Sequence, residues 1–354
     1  MVMLAPALVV GAMMGLAILS AATSSAATSR GFVLRKNPPG IRAVSPGGNP
    51  LAGATFFIDR DSGAASRQAQ AWRWSHPQWA SLLDVIAGQP GTQRFGGWNG
   101  PDPQGDVSAY LARAAGQEPG TVSMISTYRV VNGHCGNYTP PPSEMAAYDR
   151  WISGFARGIG NRRAVLFLEM DSLITMGCLS PRGVTLRAHE LRDAIAALSF
   201  CPHLVTYLDA GAADAGQPSR VARLLKRAGV ALIQGFFLNS THFDWTSKEI
   251  RFGERVSRLT GGKHFIVNTG ENGQGPIVPR DRVHKGNEVL CNPPNRGLGP
   301  RPTTNTGYPN VDAFAWTSNP GESGGQCVPG APPTGAYWPQ YAIGLVRHAN
   351  FDVR

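Results

Sequence analysis

The stretch AVLFLEMDSLITMGC, residues 164–178, opens with five apolar residues, Ala164 to Leu168, and then breaks into Glu169, Asp171 and Ser172. A strand buried on both faces reads as an unbroken apolar run. In parallel barrels the polar residues just past such a run sit on the rim that carries the active site. The pattern repeats along the chain: TYLDAG ends in Asp209, FFLNSTHF carries Asn239, FIVNTGENG carries Asn268 and Asn272, and MISTYRVVNGHC carries Tyr128 and His134. Any one of these residues is explained by a helix cap or a turn. Five on one rim point to a site.

Between the polar punctuation marks, short apolar runs alternate with helix-like segments. TFFID precedes SGAASRQAQAW, VSMISTYRV precedes SEMAAYDRWISGFARGI, AVLFLEMD precedes RAHELRDAIAALS, HLVTYLDAG precedes PSRVARLLKRAG, and ALIQGFFLN precedes TSKEIRFGERVSRL, with KHFIVNTGENG closing the series. Strand and helix in alternation specify a parallel sheet with crossover helices. About six units in one domain favour a closed or nearly closed α/β barrel over a doubly wound sheet, which the pattern leaves open.

The 354 residues, 42% hydrophobic and 16% charged, supply a sizeable core. Residues 1–27 carry no charge, and LAPALVVGAMMGLAILS followed by ATSSAATS reads as a secretory signal peptide. An uncleaved membrane anchor is the competing reading, because the apolar run approaches the roughly 17 residues a span requires. Residues 28–48, rich in Gly, Pro and basic side chains, read as an extended lead-in, and the folded domain as 49–354. The five cysteines, Cys135, Cys178, Cys201, Cys291 and Cys327, show no C-x-x-C pair, so two disulfides and one free thiol in an exported or envelope-associated protein are expected, and no metal. A formal net charge of +10 is spread over single Arg and Lys residues with no nucleic-acid motif, which argues for acidic polymers as partners rather than nucleic acid.

Asp171 and Asp209, at the ends of neighbouring strands, suit acid–base work on a glycosidic bond. Phe57, Trp98 and Trp338 are candidate stacking platforms for sugar rings, although core packing accounts for any single aromatic. The loop CNPPNRGLGPRPTTNTG lacks a phosphate-binding spacing and reads as a rigid binding loop held at Cys291. No G-x-S-x-G occurs for a serine nucleophile.

From NPLAGATFFIDRDS at 49 to WPQYAIGLVRHA ending at 349, the ordered segments RFGGWNG, YRVVNGHCGNY, FLEMDSL, TYLDAG, GFFLNSTHF, GGKHFIVNTGENGQGP, CNPPNRGLGPRPTTNTG, DAFAW and NPGESGG resemble glycoside hydrolase family six, the inverting cellulases. The resemblance implies a distorted parallel barrel, a polysaccharide substrate, no cofactor, no membrane partner after signal cleavage and a monomeric enzyme. It implies disulfides Cys135–Cys178 and Cys291–Cys327, with Cys201 unpaired. Asp171 looks like the general acid, Tyr128 is similar to the tyrosine beneath the distorted sugar, and Asp209 resembles a carboxylate that shapes the local charge. Asn239, Asn292 and Glu322 fall on cleft-lining positions. The departures cluster at the chemistry: His134 and Gly133 stand where the family has an assisting aspartate and its arginine, and Gly324 stands where it has the base aspartate. Ser318 replaces a lysine, Ala212 a histidine and Leu290 a tryptophan. These losses divide the expectation between a divergent glucanase, with His134 as a substitute base, and a glycan-binding protein without turnover.

Overall fold

The computed structural model describes residues 47–130, 139–277 and 290–353. Seven strands form one curled sheet: β1 (Thr92–Gly96), β2 (Ser123–Tyr128), β3 (Ala164–Leu168), β4 (Leu204–Asp209), β5 (Gly235–Leu238), β6 (His264–Asn268) and β7 (Val311–Ala315). Every neighbouring pair is parallel, and the spatial order equals the chain order. An order that never reverses excludes a doubly wound sheet, whose ligand site needs a switch point.

The crossovers are helical, with α3 (Gln104–Gln117), α4 (Pro142–Ile159), α5 (Pro181–Leu198), α6 (Pro218–Ala228) and α7 (Thr246–Leu259) covering the outer face, while α1 (Ala64–Trp72), α2 (Pro77–Ala87) and α8 (Pro339–Arg347) pack together at the sheet's open side. Proline in the first turn starts α2, α4, α5, α6 and α8, where its missing N–H costs nothing.

Side-chain alternation divides the core. Leu166 and Leu168 of β3 join Leu208, Phe236, Leu238, Phe265 and Val267 under the helices. Val165 and Phe167 join Tyr207, Phe237, Ile266, Ala313 and Ala315 inside the curl, as the period of two requires. All five residues of β3 are buried, so its uninterrupted apolar run follows from having no wet face.

β1 and β7 do not pair, and the seam is closed by a side chain. The Asn319 amide accepts from Thr92 N at 2.8 Å and donates to Thr92 O at 2.9 Å, copying a peptide group of a missing strand. A Cβ at Gly91 would come within 2.7 Å of Asn319 Oδ1, so only glycine admits this bridge.

Two strands, β1 and β7, lie outside the apolar runs read from the sequence, and TFFID forms a single bridge, Phe56 to Val122, rather than a strand. β1, TQRFG, is an edge strand whose exposed positions are polar, which erases its apolar signal. Phe57 is 2% exposed and packs edge-on against Tyr110, so it belongs to the core and not to the rim. Trp338 caps α8 and stacks on Tyr341, outside the side chains that line the cleft. The segments 1–27 and 28–46, with His134 and Cys135, lie outside the described residues.

Inside the curl, one buried carboxylate gathers three elements: Asp312 of β7 accepts from Tyr207 Oη at 2.5 Å and Gln234 Nε2 at 2.9 Å, and its other oxygen lies 2.6 Å from His264 Nδ1. Removing a buried partner leaves the others desolvated and unpaired. Asp312→Ala is expected to cost about 3–5 kcal/mol in urea unfolding at pH 7, and Asp312→Asn less. A loss within experimental error for the alanine variant would show that the network carries no weight.

Candidate active site

The chain leaving β3 and β5, and the loop at 292, turn through residues in the left-handed region. Glu169 (φ 51°), Asp171 (φ 65°), Asn239 (φ 69°) and Asn292 (φ 54°) all adopt it. For a residue other than glycine this conformation is uncommon, and such strain concentrates where a site over-determines the backbone.

Glu169 fixes the first turn. Fully buried, its Oε2 accepts the backbone N–H of Arg129 at 2.7 Å and of Val130 at 2.9 Å, and Oε1 accepts from Tyr148 Oη at 3.0 Å. Desolvation pushes its pKa up, and these donors oppose the shift. The chain then reverses so that Asp171 meets the cleft. From below, Arg187 donates to the carbonyl of Ser172 at 2.8 Å and pairs with Glu190 at 3.3 Å, holding the 171–178 segment in place.

The cleft, about 680 Å³, is lined by Tyr128, Asp171, Thr241, His242, Glu271 and Glu322 on its chemical side and by Trp98, Leu290 and the 323–327 turn elsewhere. Asp171 Oδ1 accepts from Thr241 Oγ1 at 2.8 Å. Burial raises the Asp171 pKa, and Thr241, His242 and Arg94 pull it partly back. A carboxyl whose pKa is raised by burial is suited to donate to a leaving oxygen. His242 Nδ1 lies 2.8 Å from Asp214 Oδ1, one residue from the Thr241 contact. Trp98, 62% exposed, folds over Gly96, where a Cβ would strike its ring at 2.4 Å. Arg94, Trp98, Asn319, Glu322, Thr334 and Gly335 also line a second groove of about 780 Å³, so the two share a wall.

Several sequence candidates occupy other places. Asp209 lies behind the cleft wall, 2% exposed, its carboxylate accepting from Leu173 N at 3.0 Å and Gly211 N at 3.2 Å. It is not among the side chains that line the cleft, where its assignment as a catalytic residue would put it. Asn239 is a buried strut donating to the carbonyls of Asp244 and Asn268, away from the cleft surface. Asn292 does line the cleft and organises its turn, accepting from Gly324 N at 2.7 Å and donating to Gly325 O at 2.7 Å. Glu322 pairs with Arg94 at 3.2 Å. Tyr128 is 42% exposed at the end of β2.

Cys291 and Cys327 form a disulfide beneath that turn. Cys178 is disulfide-bonded, its expected partner lying outside the described residues, and Cys201 is a buried free thiol. Among the described residues no three His, Cys, Asp or Glu converge as metal ligands. None of their helices is long and apolar enough to cross a membrane.

The residues that sequence reasoning missed are Thr241, His242 and Glu271. His242 stands inside the STHF stretch and Glu271 between Asn268 and Asn272. The one available signal was a charged residue inside an Asn-rich strand end.

Comparison with known proteins places the chain. The model of glycosyl hydrolases family 6 matches residues 51–349. Endoglucanase A of Cellulomonas fimi is 30% identical over 306 residues, 85% of this chain, and the match spans less than two thirds of that protein, 63%. Endoglucanase 1 of Streptomyces halstedii is 30% identical over 303 residues, covering 82% of this chain and 88% of that protein. The endoglucanase Cel6 of Mycobacterium tuberculosis, solved with a methyl-cellobiosyl-4-deoxy-4-thio-β-D-cellobioside, superposes with a TM-score of 0.75 at 31% identity, covering 85% of this chain and 99% of that one.

Burial and the charge of Asp171 push Asp209 up to about 7, while its backbone donors oppose them. Because its folded pKa exceeds the unfolded value near 3.8, the folded state holds the extra proton between about pH 4 and 7, and stability falls as pH rises through that window. Asp209→Asn removes this component. The stability of wild type relative to the variant, from denaturant titrations, should therefore drop by a few kcal/mol, on the order of 1.4 per pKa unit, between pH 4 and 8. A difference that stays flat across that window would refute the shift.

Proposed function

The chain belongs to the glycosyl hydrolases of family 6, and we propose that it is a secreted, monomeric glycosidase cleaving β-1,4-glucan or a related cell-envelope polysaccharide by inversion, with Asp171 as general acid. The observation that carries this reading is Asp171 itself: a carboxyl turned into the cleft by a left-handed backbone, held by Thr241 and kept toward its protonated form by burial. In the reaction it gives its proton to the glycosidic oxygen as the bond to the anomeric carbon breaks and a water attacks from the opposite face. The two adjoining grooves share Trp98 as an exposed ring for stacking, which fits a long polymer better than a chain end. Residues 1–27 act as a cleaved signal peptide and 28–48 as a lead-in.

A second reading, glycan binding without turnover, is favoured by one observation: Gly324 brings no side chain to the turn where the resemblance puts a base. That turn would accept one. Gly324 is not in the left-handed region, and a Cβ there meets Cys291 and Asn292 at 3.4–3.6 Å, ordinary van der Waals distances.

The two readings separate on a polysaccharide panel scored for released reducing ends and for binding. Under the first, wild type releases sugar, and Asp171→Asn lowers the rate about 10²- to 10⁴-fold with binding nearly intact. Under the second, wild type binds without release, and Gly324→Asp gains release while remaining folded. Turnover in Asp171→Asn equal to wild type would remove Asp171 from the chemistry.

A further inference from the structure

Three carboxylates line the cleft among the described residues: Asp171, Glu322 and Glu271. Asp171 is held by Thr241. Glu322 is committed, one oxygen 3.2 Å from the Arg94 guanidinium and the other accepting from Asn319 Nδ2 at 2.7 Å. Glu271 has no cationic partner among the described residues. Its Oε1 accepts the Gly321 N–H at 3.0 Å, which docks the carboxylate on the turn that runs through Gly324.

The sheet order sets how Asp171 and Glu271 face each other. Asp171 leaves β3 and Glu271 leaves β6, three places apart in an unbroken parallel order. At about 4.8 Å per strand their backbones stand about 14 Å apart along the sheet. With the sheet curled, both side chains line one cleft. An inverting pair works across a gap of about 6.5–9.5 Å between carboxyl groups, which leaves room for a water. Asp209, on the strand next to β3 and behind the wall, does not provide it.

We propose that Glu271 is the general base, a role resting on the glycosidase reading above. A water between Glu271 and the anomeric carbon gives its proton to the Glu271 carboxylate as its oxygen forms the new bond. The bond to the leaving oxygen breaks, and that oxygen takes the proton of Asp171. The products are a hemiacetal of inverted configuration and a free hydroxyl, and the two carboxyls return to their starting forms by exchanging one proton with solvent.

The groups facing Glu271 are Glu322 with its partner Arg94, the Gly321 amide, and Tyr341 of α8, itself near Arg296. Desolvation first and the charge of Glu322 second push Glu271 up to about 8, opposed by the Gly321 amide. A base acts deprotonated, so the step it assists strengthens as pH rises toward that value.

The test uses 2,4-dinitrophenyl β-cellobioside, whose leaving group departs with little help from an acid, beside β-1,4-glucan. Wild type should show a rate on the dinitrophenyl substrate that climbs toward pH 8. Glu271→Gln, which keeps an acceptor for the Gly321 amide, should lose about 10²- to 10⁴-fold on both substrates and lose that pH limb. Azide should restore turnover in this variant and yield a glycosyl azide of inverted configuration, which a merely structural role does not produce. If Glu271→Gln does not fold, Glu271→Asp with its shortened carboxylate should retain a reduced rate and the same pH limb. Asp171→Asn should lose far more on glucan than on the dinitrophenyl substrate. An active Glu271→Gln, a loss that azide leaves unrepaired, or a wild type inert toward the activated substrate overturns the proposal. A glucan rate indifferent to Asp171→Asn, with the Glu271 effects intact, overturns the acid instead.

Discussion

The site depends on one buried carboxylate that never touches a ligand. Glu169 ties the exit of β2 to the exit of β3 through two backbone amides and anchors both to α4 through Tyr148. A carboxylate walled off from water is costly unless its lone pairs are filled, and here each oxygen meets a donor. That requirement makes the geometry stiff. The left-handed turn at Glu169 and Asp171 is held by bonds on both sides of it, so Asp171 faces the cleft with little freedom to turn away. Its position costs strain of order 1–3 kcal/mol for an uncommon backbone conformation, and the Glu169 bonds offset it.

A second constraint comes from leaving the barrel unclosed. Seven parallel strands with free edges expose unpaired backbone groups, a hazard that sheets cover or blunt. Asn319 covers one such position by imitating a strand's peptide, and it does so within reach of Glu322, to which it also donates. The seam and the cleft wall thereby share residues. Arg94 of β1 completes the arrangement by pairing with Glu322 across the same gap. Both grooves are lined by Arg94 and Asn319, on the side where a closed barrel would have had another strand.

Much of this architecture was legible in the sequence because its signal is local. β3 to β6 are short apolar runs ended by polar residues, and the helices between them start on prolines. β1 escaped because an edge strand carries polar residues on its wet side, and β7 because a long loop separates it from β6. Phe57 was misjudged for a related reason: an aromatic near a strand start looks the same whether it faces Tyr110 in the core or a sugar on the rim. The site was legible only as far as side chains announce themselves at strand ends. Asp171 did so. The difference between Asp171, at the surface, and Asp209, behind it, is set by which neighbours supply backbone amides, and no spacing in the chain encodes that.

The carboxylates around the cleft differ by environment rather than by type. Glu169 has donors on both oxygens and serves the fold as a tie between β2, β3 and α4. Asp209 is enclosed with fewer donors, and burial first and the charge of Asp171 second push it up to about 7. Glu322 is neutralised by Arg94. Glu271 is left with a single amide, and burial first and the charge of Glu322 second push it up to about 8. Groups pushed apart in this way divide into acids, bases and supports. The empty position at Gly324 fits that division: with a carboxylate arriving from the neighbouring strand end and docked on the same turn, a second one at 324 would add like charge to a site that already contains Glu271 and Glu322.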